Sequence, residues 1–303
     1  MEFSSTPKIK AILNRVAAES NDNYLLSPEQ KQFYEDNGYL VINKLFDFDE
    51  LYNIKQHFIQ IAKGVVDKGN STIVKEATLV KKGLTGEQVI NKISEIHFDD
   101  VFTTYTEHPR LLRALSQLIG DNIRVMHSMF INKPPGSRHH PPHQDLFYFP
   151  FRPASLIVAA WTAVDDVTEA NGCLYVLPRS HRAGRLYAHG HVPNTNKLYH
   201  GILDPSVSDA GRPVQLEMSP GDTVFFHPLL VHGSGPNVTE RYRKSITAHY
   251  ASGRCRYVDV AGTVQEVAAR DVEAEAERRG FRLSFVDTWR YKSKQVLGVQ
   301  SNL

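Results

Sequence analysis

The feature that most constrains the fold is a series of short apolar strands in the second half of the chain, separated by glycine and proline turns. In "IRVMHSMFINKPP" the alternation predicts that Val125, His127, Met129 and Ile131 share one face of a strand. Four further segments have the same character, "SLIVAAWTAVDD", "NGCLYVLPRSH", "GDTVFFHPLLVHGSG" and "RYRKSITAHYA". Short strands with turn residues at regular spacing predict a β-sandwich or barrel.

Helical patterns flank this β region. In "SPEQKQFYEDNG", Ser27 is the expected N-cap, Pro28 occupies the first turn, Gln30 completes a capping box and Gly38 ends the helix. Helical spacing also occurs in "FDFDELYNIKQHFIQIAKGVV", "HPRLLRALSQLIGDN" and the charged "VQEVAARDVEAEAERRG". We predict a polar, disordered lead-in over residues 1–23 and one mainly β domain with flanking helices over residues 24–303.

Composition limits the class of protein. A hydrophobic content of 41% is enough for a full core, and a net charge of +2 argues against a large nucleic-acid-binding surface. The chain has no run of 18 apolar residues, so no membrane span is expected, and its start lacks the apolar stretch of a secretory signal. The two cysteines, Cys173 and Cys255, are expected to be reduced, buried and inert.

The segment "SRHHPPHQDLFYFPF" carries the chemistry, because it sets histidines beside a carboxylate where prolines prevent a helix. His143 and Asp145 are two residues apart, so on a strand both side chains point to the same side. His232, in "LLVHGSG", stands where a later strand meets a turn. Two histidines and one carboxylate form the facial triad of non-haem Fe(II) oxygenases, which leaves coordination positions open for co-substrate and oxygen.

Three other interpretations fit the same residues. His143 and Asp145 can form an ordinary hydrogen-bonded pair without a metal. Two histidines and a carboxylate also hold catalytic zinc in some hydrolases, although the chain has no H-E-x-x-H motif. A third interpretation is a jelly-roll protein that binds metal or lipid without turnover, and the intact triad argues against it.

Two further residues favour a site for a small carboxylate beside the metal. Arg243 follows His232 by eleven positions, on a strand where Ser245 and Thr247 share its face. A buried guanidinium fits an anionic carboxylate. Trp161, on the strand after the H-x-D segment, can form the wall of a dry pocket.

Three stretches carry a resemblance to a known family: "HQDLFYFPFRPASLIVAAWTAV", "NGCLYVLPRSH" and "GDTVFFHPLLVHGSGPNVTERYRKSITAHY". They resemble the phytanoyl-CoA dioxygenases, and the similarity extends from "LSPEQKQFYEDNGYLVI" to the C-terminal "SNL". The resemblance implies a double-stranded β-helix (jelly roll) that uses Fe(II), 2-oxoglutarate, O2 and ascorbate. The loop "PPGSRHH" before the H-x-D motif is shorter than the resemblance implies.

The resemblance also assigns roles to individual residues. It implies that His143, Asp145 and His232 bind iron and that Arg243 pairs with the distal carboxylate of 2-oxoglutarate. Other implied contributors to 2-oxoglutarate binding are Lys92, Met129, Gln144 and Trp161.

The implied reaction is 2-hydroxylation of an acyl-CoA such as phytanoyl-CoA, with release of succinate and CO2, as in fatty acid α-oxidation. Implied partners are a lipid-carrier protein and a peroxisomal import receptor. The chain ends Ser301, Asn302, Leu303, a variant of the S-K-L peroxisomal address without its positive charge. No N-terminal address of the kind the family carries is seen. We therefore expect a peroxisomal protein, with the cytoplasm as the alternative.

Overall fold

The computed structural model describes residues 25–192, 199–299 and 303, so the predicted lead-in over residues 1–23 lies outside the described residues. Five helices precede the main β region: α1 Pro28–Asn37, α2 Phe48–Ala62, α3 Ala77–Lys81, α4 Asp100–Thr106 and α5 Pro109–Ile119. Two more follow it, α6 Glu266–Arg278 and α7 Phe285–Lys292. None of the helices in these described ranges is long and apolar enough to cross a bilayer.

The strands are short, as the turn pattern predicts. In the first half of the chain they are β1 Tyr39–Ile42, β2 Thr72–Lys75, β3 Ile90–Ser94, β4 Ile123–Lys133, β5 His140–His143 and β6 Phe151–Arg152. The next are β7 Ile157–Ala163, β8 Leu174–Val176, β9 His189–His191, β10 His200–Ile202 and β11 Val214–Leu216. The last are β12 Thr223–Phe226, β13 His232–Ser234, β14 Arg243–Ser252, β15 Arg256–Tyr257 and β16 Lys294–Leu297.

The first helix begins and ends as its sequence predicts. The Ser27 hydroxyl accepts a hydrogen bond from the Gln30 backbone N–H, and the Gln30 side chain accepts one from the Ser27 N–H. Gly38 ends the helix at φ 79°, in the left-handed region that favours glycine. A Cβ at this position would also lie 2.4 Å from Nδ1 of His181, so both backbone and space require glycine.

Two antiparallel sheets form the β core. The larger has eight strands in the order β1-β12-β7-β14-β4-β3-β2, with β16 also pairing with β4, and the smaller has the order β11-β8-β13-β5. One apolar cluster contains residues of both sheets, including Trp161 of β7 and Val176 of β8. A second cluster packs the large sheet against α2, α4 and α5. This arrangement is the predicted jelly roll with flanking helices.

One detail of the strand prediction is wrong. The pairing of β4 with β14 shifts register between His249 and Tyr250, so that His249 lies opposite His127 while Tyr250 lies opposite Val125. The extra residue, Met126, is a β-bulge that reverses the alternation. Val125 therefore packs in the helix-facing cluster, and does not share a face with His127, Met129 and Ile131.

Both cysteines are free and buried, as predicted. Burial raises the pKa of Cys173 to about 11 and that of Cys255 to about 12. Both therefore stay as thiols at neutral pH, which makes them poor nucleophiles.

Candidate metal centre and adjoining anion pocket

The predicted triad is assembled at the edge where β5 and β13 pair. His143 is the last residue of β5 and lies directly opposite His232, the first residue of β13. Asp145 follows after Gln144, whose backbone is extended at φ −122° and ψ 126°. Asp145 itself begins a short 3-10 turn rather than continuing a strand. The extended Gln144 nevertheless preserves the two-residue alternation, so His143 and Asp145 point to one side as predicted.

The three ligand atoms face one another without bonding. Nε2 of His143 lies 3.6 Å from Oδ1 of Asp145, and Nε2 of His232 lies 3.7 Å from the same oxygen. A direct hydrogen bond would close these gaps to about 2.8 Å. Two ligand atoms with bonds of about 2.1 Å to a shared metal ion lie about 3.0–3.4 Å apart, so an ion would draw these atoms together by only a few tenths of an ångström. The geometry thus fits a metal better than a hydrogen-bonded pair.

Each imidazole is held in the orientation that metal binding needs. Nδ1 of His143 lies 3.0 Å from the Pro141 carbonyl oxygen, and Nδ1 of His232 lies 3.0 Å from the Leu230 carbonyl oxygen. A carbonyl can only accept, so Nδ1 carries the proton and Nε2 keeps a free lone pair. Such outer contacts fix the tautomer and raise the basicity of a metal ligand.

The carboxylate is fixed by a histidine that the sequence analysis did not select. Nε2 of His249, on β14, lies 3.1 Å from Oδ2 of Asp145, which leaves Oδ1 to face the two ligand histidines. His249 lies on the face of β14 that also carries Arg243, Ser245 and Thr247. Counting two residues onward from that predicted face would have identified it.

The protonation states suit a divalent cation. Burial, together with the neighbouring His143, lowers the pKa of His232 to about 4, so the imidazole is neutral at pH 7. Burial opposes ionisation of Asp145, but the neighbouring imidazoles, with the hydrogen bond from His249 among their contacts, hold the pKa of this carboxyl well below its usual range. Two neutral imidazoles and one carboxylate would leave a divalent ion with a local charge near +1, which attracts an anion.

A cavity of about 120 Å³ has Arg243 at its wall, and its lining residue His140 stacks on the ligand His143 with ring centroids 4.2 Å apart, so the cavity lies next to the triad. Arg243 is 2% exposed, and its Nη1 donates to the Ser245 hydroxyl at 3.0 Å. Its Nε is buried and has no partner among the described residues. Burial lowers the pKa of this guanidinium to about 10, so it remains charged at neutral pH. A buried cation with an unused donor is suited to a carboxylate ligand.

Two lysines join Arg243 at the cavity. Lys92, which the sequence could not place, lies on β3 and faces the cavity, with Nζ 5.5 Å above the Tyr199 ring. Lys133, at the end of β4, is buried, and its Nζ donates to the Ser234 hydroxyl at 3.2 Å. Burial and the charge of Arg243 lower the pKa of Lys133 well below its usual range. Lys133 continues the Met129 and Ile131 face of β4, so the alternation of that strand would have identified it.

Met129 and Trp161 both line the cavity, as the resemblance implies. The guanidinium of Arg243 lies 5.4 Å from the centre of the Trp161 ring, within range of a cation–π contact. Trp161 thus holds the guanidinium in place and excludes water from one wall of the cavity.

Gln144 does not line this cavity, which corrects the expectation that it does. Its Nε2 donates to the Leu229 carbonyl at 2.8 Å and to the Arg185 carbonyl at 3.2 Å, and its Oε1 accepts from the Tyr187 N–H at 2.8 Å. The physical reason is the same alternation that brings its neighbours His143 and Asp145 together: Gln144 points to the opposite side. It joins three loop segments behind the metal centre and so positions the ligands indirectly.

Comparison with known proteins gives one family for this sequence. The family model described as "Phytanoyl-CoA dioxygenase (PhyH)" matches residues 34–245. The chain is 43% identical over 293 residues to "Phytanoyl-CoA dioxygenase, peroxisomal" of Rattus norvegicus, covering 93% of this chain and 86% of that protein. It is 42% identical over 306 residues to "Probable phytanoyl-CoA dioxygenase" of Caenorhabditis elegans, covering 94% and 97% respectively.

Solved structures agree on the fold. EctD from S. alaskensis, in a structure with 2-oxoglutarate and 5-hydroxyectoine, has a TM-score of 0.61 at 22% identity and covers 83% of this chain and 84% of that chain. The epimerase SnoN, in complex with Fe3+, alpha ketoglutarate and nogalamycin RO, has a TM-score of 0.58 at 22% identity and covers 78% and 90%. These likenesses confirm the jelly-roll architecture.

Proposed function

This chain belongs to the phytanoyl-CoA dioxygenase family, and on that premise we propose that it hydroxylates carbon 2 of an acyl-CoA with Fe(II), 2-oxoglutarate and O2. That it is a dioxygenase follows from the family and from relatives more than 40% identical over most of its length. The proposal adds the acyl-CoA substrate, of which phytanoyl-CoA and other 3-methyl-branched esters are the expected examples. It also adds the products, a 2-hydroxyacyl-CoA, succinate and CO2, and a place in fatty acid α-oxidation.

The observation that carries the proposal is the pairing of two sites within one sheet sandwich. His143, Asp145 and His232 form a buried ligand set, and the adjoining cavity presents the buried cation Arg243. A metal site alone would fit many activities. A metal site beside a small cationic cavity fits a co-substrate with a chelating end and a distal carboxylate, which is the shape of 2-oxoglutarate.

Each residue has a definite part in this proposal. His143, Asp145 and His232 would hold the iron, and the bound iron with 2-oxoglutarate and O2 would supply the oxidising power. Arg243 would pair with the distal carboxylate, and Lys92, on β3 at the other side of β4, would add positive charge. Burial and the charge of Arg243 disfavour the charged form of Lys133, and a dianion in the cavity would offset that penalty. These contacts fix the direction in which the co-substrate enters.

The acyl-CoA would approach from outside the cavity. A volume of about 120 Å³ accommodates a small dicarboxylate and leaves no room for a long acyl chain. Exposed Arg138 and His139 stand at the cavity rim, where they meet the incoming substrate. Only carbon 2 needs to come near the iron, so the rest of the ester can remain on the surface.

The peroxisome is the proposed location, because relatives in rat and human are named peroxisomal. The predicted address "SNL" falls mostly outside the described residues, since Ser301 and Asn302 are not among them. The Leu303 side chain is 4% exposed and packs in an apolar cluster with Phe285 and Trp289. A lipid-carrier protein and an import receptor remain part of the proposal, as does ascorbate.

The test is succinate release from 2-oxoglutarate across a panel of acyl-CoAs, both straight and 3-methyl-branched. We expect succinate and 2-hydroxyacyl-CoA in equal amounts, dependent on added Fe(II), with no product from Asp145→Ala. Release of free CoA or free acid without 2-oxoglutarate consumption, or full activity with zinc alone, would instead support the hydrolase interpretation. Iron binding without turnover on any ester would contradict the acyl-CoA assignment.

A further inference from the structure

A second group of metal-binding side chains lies on the surface, formed by His191, His200 and Asp271. One ligand atom from each of the three lies within 4.8 Å of the others. His191 and His200 come from the hairpin of β9 and β10, and Asp271 comes from α6, so the three are brought together only by folding. None of them belongs to the iron centre proposed above.

The two histidines are a cross-strand pair. His200 lies directly opposite His191 in the β9–β10 ladder, and their ring centroids are 4.6 Å apart. Residues directly opposite on antiparallel strands place both side chains on the same face of the sheet. The same arrangement brings His143 and His232 together at the iron centre.

Two distances describe how far the three ligand atoms are from the geometry of a metal site. Oδ2 of Asp271 lies 3.5 Å from Nε2 of His191 and 2.8 Å from Nε2 of His200. Ligands on a tetrahedral ion with bonds of about 2.1 Å are about 3.4 Å apart. The first distance already has this value. The second is a hydrogen bond, and it would widen by about 0.6 Å as the ion replaces the shared proton.

The buried member of the cluster has an orienting partner. His200 is 4% exposed, and its Nδ1 lies 3.4 Å from the hydroxyl of Tyr148. This contact, long for a hydrogen bond, leaves Nε2 directed at Asp271. His191 and Asp271 are exposed, so they can adjust to an ion and admit water as a fourth ligand.

We propose that His191, His200 and Asp271 form a second divalent-metal site that takes Zn²⁺. Bound there, the ion would join the β9–β10 hairpin to α6. The same hairpin carries His189, whose Nε2 accepts the Gln144 backbone N–H at 3.0 Å, next to the iron ligands His143 and Asp145. The second ion would therefore stabilise the wall behind the catalytic centre without taking part in the reaction. The proposal does not depend on the identity of the substrate.

The experiment counts bound zinc in protein without an affinity tag, freed of metal with a chelator and dialysed against Zn²⁺. Wild type should hold two equivalents, and a triad variant, Asp145→Ala/His232→Ala, should hold one. Adding His191→Ala and Asp271→Asn to that variant should weaken the remaining site by about 100-fold or more, since loss of even an outer-shell partner costs about 10–100-fold. The matched control is Glu277→Gln, which removes another exposed carboxylate from α6 and should change nothing.

A second measurement protects the test against misfolding of the triad variant. In the otherwise wild-type chain, His191→Ala/Asp271→Asn should reduce bound zinc from two equivalents to one while the iron-dependent binding of 2-oxoglutarate is retained. The proposal is overturned if wild type holds a single equivalent and the triad variant holds none. It is also overturned if the zinc retained by the triad variant is insensitive to His191→Ala/Asp271→Asn. Failure of the acyl-CoA assay would affect neither result.

Discussion

Replacing Arg243 with methionine tests the anion pocket most directly. Methionine keeps a long apolar side chain against Trp161 and removes only the charge and its donors. Arg243 is 2% exposed and its pKa is about 10, so a buried full charge is lost at neutral pH. Loss of one partner from a buried, hydrogen-bonded charge pair costs about 2–5 kcal/mol. At about 1.4 kcal/mol per factor of ten, the KM for 2-oxoglutarate should rise about 30-fold to several thousand-fold.

The assay is succinate formation against 2-oxoglutarate concentration, with bound iron measured in parallel. Iron content should match wild type, because Arg243 touches none of the three proposed ligands. Arg241→Met is the matched control: this arginine is exposed two residues earlier, and its loss should leave the KM unchanged. An unchanged KM in Arg243→Met would refute the assignment of Arg243 as the partner of the distal carboxylate. Lys92 or Lys133 would then be the expected partner.

Three further predictions concern the metal centre and the buried histidines. Asp145→Ala should weaken iron binding, measured by metal analysis, by more than the about 10–100-fold that is typical when an outer-shell partner is lost. Retention of iron would contradict the ligand assignment. His249→Ala should weaken iron binding by about 10–100-fold because Oδ2 of Asp145 loses its partner, and His249→Gln should recover part of it; equal binding in all three forms would refute this. Burial lowers the pKa of His97 from 6.5 to about 4. As the pH falls through this range, His97 takes up a proton in the unfolded chain but not yet in the folded one. The free energy of unfolding should therefore fall by about 3 kcal/mol between pH 6.5 and pH 4. Urea unfolding should show a shallower loss over that range in His97→Asn, and an identical pH slope would count against it.

Local signals were enough to predict much of the fold. The capping box of α1 and the glycine that ends it depend on residues three to ten positions apart, so the sequence displays them directly. The alternation of β14 likewise places Arg243 and Ser245 together. The pairing of His143 with Asp145 needed only an extended residue between them. Each of these features is decided by local backbone geometry, which residue type strongly restricts.

Long-range register was the part that could not be predicted. The bulge at Met126 is visible only once β4 is paired with β14, and it is the bulge that moves Val125 to the other face. Lys92 could not be placed for the same reason, since its position depends on β3 pairing with β4 through Lys92 and Ile131. The resemblance implied that Gln144 contributes to 2-oxoglutarate binding because it matches sequence positions only. It does not say which way the side chain points, and Gln144 points away from the cavity.

Both proposed metal sites contain two histidines that lie directly opposite each other on antiparallel strands, but the two sites differ in how far their ligands are fixed in place. At the iron centre both histidines are buried, each Nδ1 is tied to a carbonyl, and Asp145 is held by His249, so the ligand atoms stand apart before any ion arrives. At the surface site, Asp271 is hydrogen-bonded directly to His200, and this bond must break before an ion can bind. Preorganisation lowers the free energy cost of binding, so the buried triad should bind more tightly at equal charge. Zinc titrated into metal-free protein should therefore fill the triad first and the surface site second.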